Sequence, residues 1–185
     1  MRITVYSGSF NPLHIGHLAI MEFLSAWEGT DWTYLIVSPQ NPLKDAAAAE
    51  SSRKRYRAAL TALQRHPGLQ VWLDDIELRM PPPSYTIRTL DTLRRQEPAH
   101  EFTLVIGGDN LAGIRRWKDY QRILREYGVA VYPRRGYDSP ALRDDLLAED
   151  PSYRIRLLDC PMVDISSTQI REAVARGEEV GDWLM

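Results

Sequence analysis

Cysteine is almost missing from this chain. One residue, Cys160, stands among 185, so no internal disulfide can form and a reducing compartment is expected. A lone thiol of this kind is ordinarily a small buried apolar side chain. Charge of one sign is also missing. The formal net charge of −2 creates no global basic field to attract nucleic acid, so an anionic ligand must be held by local groups. No apolar run approaches the ~18 residues of a membrane span. Met1 leads almost at once into a strand pattern, without the charged and apolar regions of a secretory signal. The expectations are no nucleic-acid partner, no membrane partner and a cytoplasmic location. Two phosphate-binding fingerprints are absent as well: neither Gly-x-x-x-x-Gly-Lys nor Gly-x-Gly-x-x-Gly occurs.

What is present alternates. Ile3 to Tyr6, Tyr34 to Val37, Leu69 to Leu73, Phe102 to Ile106, Val129 to Tyr132 and Ile155 to Leu158 read as short buried strands. Helical patterns separate them. Leu18, Ile20, Met21 and Leu24 mark a helix from about Ile15 to Trp27. Ser51 and Ser52 are candidate caps for one whose apolar face is Tyr56, Leu60 and Leu63. Ser84 is the candidate cap for one carrying Ile87, Leu90 and Leu93. Trp117, Tyr120, Ile123, Leu124 and Tyr127 make a further helical face. Ser139-Pro140 opens a short helix and Ser166 the last. This order argues for an α/β chain, a doubly wound Rossmann-like parallel sheet with helices on both faces. In such folds ligands sit beyond the carboxyl ends of the strands. The Gly- and Pro-rich segments at Gly8 to His17, Ser38 to Lys44, Gly107 to Asn110 and Pro133 to Gly136 all follow strands.

Two segments carry the chemistry. Gly8-Ser-Phe-Asn-Pro-Leu-His14-Ile-Gly-His17 places a glycine turn and two of the four histidines directly after the first strand. Glycine lets a polyphosphate approach the backbone, and imidazole N–H groups at a helix start can donate to phosphate oxygens. A capping or packing role for either histidine stays open. Zinc lacks a third ligand at suitable spacing. The second segment, Ile165-Ser-Ser-Thr-Gln-Ile-Arg171, has capping-box spacing from Ser166 to Gln169. It also sets three hydroxyls and a guanidinium around one helix start, which suits a triphosphate. Lys44 could swing over such a site or be a solvated lysine. Asp109 could accept ribose hydroxyls or be an Asx-turn residue. Trp117 could stack on a flat ring or pack in the core. Arg53, Lys54, Arg55 and Arg57 read as a wet helix face. These groups are donors and cations rather than nucleophiles, so catalysis by positioning and electrostatic stabilisation is expected.

The two segments together resemble the nucleotidyltransferase superfamily with the His-x-Gly-His signature. Within it the chain resembles the nicotinate-nucleotide adenylyltransferases. Pro39-Gln-Asn-Pro-Leu-Lys44, Pro83-Ser-Tyr-Thr-Ile-Arg-Thr-Leu90, Ile106-Gly-Gly-Asp-Asn-Leu111 with Trp117, and Pro133-Arg-Arg-Gly136 extend the likeness over nearly the whole chain. The resemblance implies adenylyl transfer from ATP to nicotinate mononucleotide, giving deamido-NAD and pyrophosphate in NAD biosynthesis, with Mg²⁺ accompanying ATP. It implies a catalytic set of His14, His17, Lys44 and Arg171. ATP contacts are implied for Gly8, Ser9, Phe10, Gly16, Gly107, Ile165, Ser166, Ser167 and Thr168 besides His14, His17 and Arg171. Mononucleotide contacts are implied for Tyr85, Thr86, Asp109, Trp117, Lys118 and Arg134. No protein-held metal is implied, and a homo-oligomer stays open. Residues 1–185 are expected to be one nucleotidyltransferase domain. It stops at Trp183-Leu-Met185, where members of the family commonly continue, so a naturally short end and a truncated one both stay open.

Overall fold

The computed structural model describes residues 1–39 and 46–185. Its centre is one six-stranded sheet of β1 (Arg2–Gly8), β2 (Trp32–Val37), β3 (Val71–Asp74), β4 (Glu101–Gly107), β5 (Val129–Tyr132) and β6 (Ile155–Leu157). The spatial order is β3-β2-β1-β4-β5-β6, and every neighbouring pair is parallel. The expected doubly wound α/β sheet is therefore what the chain forms.

Alternation along the strands feeds two apolar layers. Ile3, Val5, Tyr34, Ile36, Leu104 and Ile106 face one layer. Helices α3 (Ile76–Arg79), α4 (Thr86–Gln96), α5 (Gly108–Ala112) and α7 (Ser139–Glu149) cover it with Ile76, Leu90, Leu93, Leu111 and Leu146. Tyr6, Leu35, Val37, Val105 and Ala130 face the other. There α1 (Ile15–Ala26) and α2 (Ala46–Gln64) supply Met21, Leu24, Ala59 and Ala62. The single cysteine, Cys160, is buried in this second layer. Burial pushes its thiol up to about 11, which leaves it unreactive.

The sheet order reverses between β1 and β4, so their adjacent carboxyl ends open a crevice. Gly8 closes β1 there and Gly107 closes β4. The last helix, α8 (Ser167–Ala175), begins beside the same crevice.

Several local expectations are corrected. α2 begins at Ala46, ahead of Ser51 and Ser52, because the alanine run is itself strongly helix-forming. Neither serine is a cap, and Leu60 is exposed. The N-cap of α4 is Tyr85, not Ser84, and no side chain caps it. The Gly107-Gly-Asp-Asn110 segment is the start of α5 rather than a loop. The stretch from Trp117 to Tyr127 is not one continuous helix. Asp119 is left-handed at φ 52°, after which α6 (Tyr120–Arg122) passes into a π turn over Ile123–Tyr127. The wider turn still buries Ile123, Leu124 and Tyr127. α7 does open at Ser139, with Asp138 as its cap, accepting from the Ala141 N–H at 3.1 Å.

Leu35 sits at the middle of β2 with no exposed surface. Leu35→Ala should cost about 2–5 kcal/mol of stability, read as a lowered urea midpoint without a change of slope.

Candidate active site at the carboxyl ends of β1 and β4

The β1–α1 connection is shaped around two imidazoles. His14 is the N-cap of α1, and its Nδ1 accepts the Gly16 N–H at 3.0 Å. His17, at the third helical position, returns the bond: its Nδ1 accepts the His14 N–H at 3.1 Å. The pair forms a reciprocal capping box built from histidines. With Nδ1 an acceptor in both rings, the neutral imidazoles carry their proton on Nε2. The rings stack at a centroid distance of 3.7 Å. Both histidines line the crevice, so capping and cleft-lining fall to the same two side chains.

Glycine is required at position 16. A Cβ there would lie 2.8 Å from the His14 ring. Phe10 adopts φ 47°, an unfavourable conformation for a bulky residue. Its buried ring meets His17 edge-on at 5.1 Å and Tyr6 at 5.2 Å. Burial is the main force depressing both imidazoles, with the Arg134 guanidinium adding to it. His14 is lowered to about 4, and His17 lies well below its ordinary value, with His14 also contributing. Both are neutral donors at pH 7.

The second arm is α8. Ser166 and Gln169 form the expected capping box, each side chain bonding the other's backbone N–H at 3.1 and 2.9 Å. Ser167 Oγ donates to the Pro12 carbonyl at 3.0 Å. Arg171 donates to the Asn11 carbonyl at 2.7 Å and to Thr168 Oγ1 at 3.1 Å. The two sequence segments are thus bonded to each other. They line one cleft of about 520 Å³ with Ser9, Gly16, Ile165, Asp109 and Arg134. Gly107 caps α5 at its edge, where a Cβ would press on Asp109 and Tyr132.

Arg134 Nε lies 3.4 Å from Asp109 Oδ1. That buried oxygen has no hydrogen-bond partner among the described residues. The Arg134 guanidinium also lies over the Tyr132 ring at 5.8 Å.

Tyr85 and Thr86 line a separate, smaller cavity of about 160 Å³ with Ser7, Ser38 and Glu77. Lys118 Nζ lies 4.8 Å above the Tyr85 ring. Trp117 is half-buried and packs on the core layer of α4 and α5. Lys44 lies outside the described residues.

Sequence reading missed several participants. Tyr6 and Tyr132 floor the cleft with rings 6.1 Å apart, hidden inside strands that read as plain core. Glu77 is 4% exposed and accepts from Thr89 Oγ1 at 2.9 Å; burial raises its carboxyl. The wet-face reading of the basic run holds for Arg53, Lys54 and Arg57 but not for Arg55, which is 5% exposed. The signal was helical spacing: Ser52, Arg55, Ala59 and Ala62 recur on one buried stripe.

Fold and site together define a nucleotide-transferring α/β domain, with anion donors grouped at a topological switch point. The cytidylyltransferase-like family model matches residues 5–173. A Bacteroides fragilis protein named probable nicotinate-nucleotide adenylyltransferase is 39% identical over 97% of this chain and 85% of its own length. A Flavobacterium johnsoniae protein of the same name is 35% identical over 100% of this chain and 92% of its own. The solved Plasmodium falciparum nicotinic acid mononucleotide adenylyltransferase complexed with NaAD has a TM-score of 0.80 at 17% identity, over 99% of this chain and 90% of that one. The chain belongs to the cytidylyltransferase-like family, among the nicotinate-nucleotide adenylyltransferases. No helix among the described residues is long and apolar enough to cross a membrane.

Neutral His14 predicts a pH dependence. Below about 6.5 the unfolded chain binds protons that the folded one refuses, so stability falls as pH drops from about 6.5 toward 4. His14→Asn keeps a capping acceptor and removes this titration. Its urea midpoint should change less between pH 7 and pH 5 than that of the unaltered protein.

Proposed function

We propose that the protein transfers the adenylyl group of ATP to nicotinate mononucleotide, forming deamido-NAD and releasing pyrophosphate, a step of NAD biosynthesis. One observation carries the reading. The imidazole-bearing β1–α1 connection and the hydroxyl-rich start of α8 are hydrogen-bonded together and face one cleft. In this reading a triphosphate lies between them.

In this reading a 5′-phosphate oxygen of the mononucleotide attacks the α-phosphorus of ATP. The bond from that phosphorus to the bridging oxygen breaks, and pyrophosphate leaves with the electron pair. Negative charge builds at the α-phosphate, where His14 and His17 present Nε2–H donors. Neutral imidazoles suit this task because they donate without first losing a proton to the anion. Ser166, Ser167, Thr168 and Arg171 hold the β- and γ-phosphates, helped by the free N–H groups of α8. Gly8, Ser9, Phe10, Gly16 and Gly107 give backbone access, and Ile165 borders the adenine. Asp109 takes a ribose, and Arg134, its ion-pair partner, takes the mononucleotide phosphate. Lys44 serves as a further cation.

The acceptor's ring is assigned to the Tyr85–Thr86 side, with Trp117 beside it. α4 starts there with no side-chain cap, so its first N–H groups are open to an anion, and the Lys118 ammonium stands close by. A carboxylate satisfies that environment better than a neutral amide. Mg²⁺ would be carried mainly by the nucleotide's phosphates, neutralising their charge. The reading takes residues 1–185 as one domain, working in the cytoplasm where ATP is made.

With Mg²⁺ and ATP, pyrophosphate should appear far faster with nicotinate mononucleotide than with the nicotinamide form. Equal rates in a side-by-side assay would remove the acceptor assignment. His17→Ala should cut turnover by about a hundredfold or more, the scale of removing one electrostatic donor. Near-full turnover would show that His17 does not face the reacting phosphate.

A further inference from the structure

Arg55 is a buried cation that the proposed mechanism leaves unused. Its guanidinium is 5% exposed, and burial lowers its affinity for a proton. No carboxylate pairs with it among the described residues. Nη1 donates instead to two main-chain carbonyls, Ser9 at 2.6 Å and Ser38 at 2.8 Å. Nη2 donates to Ser52 Oγ at 3.1 Å. Burying a guanidinium against neutral acceptors alone is costly, so its placement calls for a reason.

The Ser9 carbonyl belongs to the peptide that enters Phe10, the residue held at φ 47°. A bulky side chain stays in that region only where its surroundings hold it. Arg55 grips the peptide on one side of the strained residue. The Phe10 ring then meets His17 edge-on. The Ser38 carbonyl, at the end of β2, anchors the same guanidinium to the sheet, and the Ser38 N–H bonds the Gly8 carbonyl at 2.8 Å.

We infer that Arg55 is a positioning residue for adenylyl transfer: it fixes the Ser9–Phe10 peptide against the end of β2, and through the Phe10 ring it sets the orientation of His17. It touches neither nucleotide. The inference rests on the role proposed for His17, and part of its test does not.

Arg55→Met keeps length and removes every donor. Turnover should fall about tenfold to a hundredfold, the scale of a small misplacement of a catalytic group. The ring-proton and ring-nitrogen NMR signals of His17 should shift in the nucleotide-free protein. Arg55→Lys keeps the charge but cannot span both carbonyls and the hydroxyl with one planar fork, so it should fall between. A purely stabilising Arg55 would lower the melting temperature while leaving folded-state turnover and the His17 signals as they were, and that result overturns the proposal. If Arg55→Met does not fold, the same readings on Arg55→Lys decide, and unaltered values of both overturn it. Unaltered protein that makes no pyrophosphate would overturn the transferase reading, while the His17 signals would still report whether Arg55 sets that ring.

Discussion

Two backbone N–H groups, each spent on an imidazole nitrogen, are what the site depends on. Gly16 donates to His14 and His14 donates to His17. These bonds start helix α1, choose the tautomer of both rings and hold the rings in a stack. Because Nδ1 is occupied, Nε2 must carry the proton and present it outward. Burial then keeps both rings uncharged. Local backbone geometry, side-chain chemistry and the charge state at neutral pH all follow from one short hydrogen-bonded motif.

That motif would face empty solvent if the other arm were absent. α8 is drawn against it by Ser167 and Arg171, both donating to carbonyls of the β1–α1 connection. Arg171 therefore has two tasks, anchoring Asn11 and presenting positive charge at the cleft. Beneath them, Tyr6 and Tyr132 make a floor in which burial pushes both phenols up. The floor stays neutral, and the donors above it act in a medium where their fields are poorly screened. Arg134 and Asp109, an ion pair at 3.4 Å, complete the rim.

Much of this was legible in the sequence where a local rule dictated the outcome. Strand runs with helical patterns between them gave the parallel sheet. The Ser166–Gln169 spacing gave a capping box that the structure reproduces. Glycine beside two histidines marked the crevice. The rest required tertiary packing. Ser51 and Ser52 looked like caps because caps are read locally, yet the alanine run ahead of them extended the helix. Asp119 in a left-handed conformation divided a helical face that periodicity alone made continuous. Arg55 looked solvated because charged neighbours surround it in sequence, and only the stripe it shares with Ala59 and Ala62 betrays its burial. Tyr85 and Lys118, 33 positions apart in sequence, approach through folding alone, which no local pattern encodes.

The bond from Arg171 to the Asn11 carbonyl spans 160 positions of the chain. A cleft closed by such a contact cannot exist in a partly synthesised polypeptide, however well its first strands have formed. During translation the growing chain would lack the complete cleft until α8 clears the ribosome. Any ligand of that cleft would then add its binding free energy only at the last step of assembly.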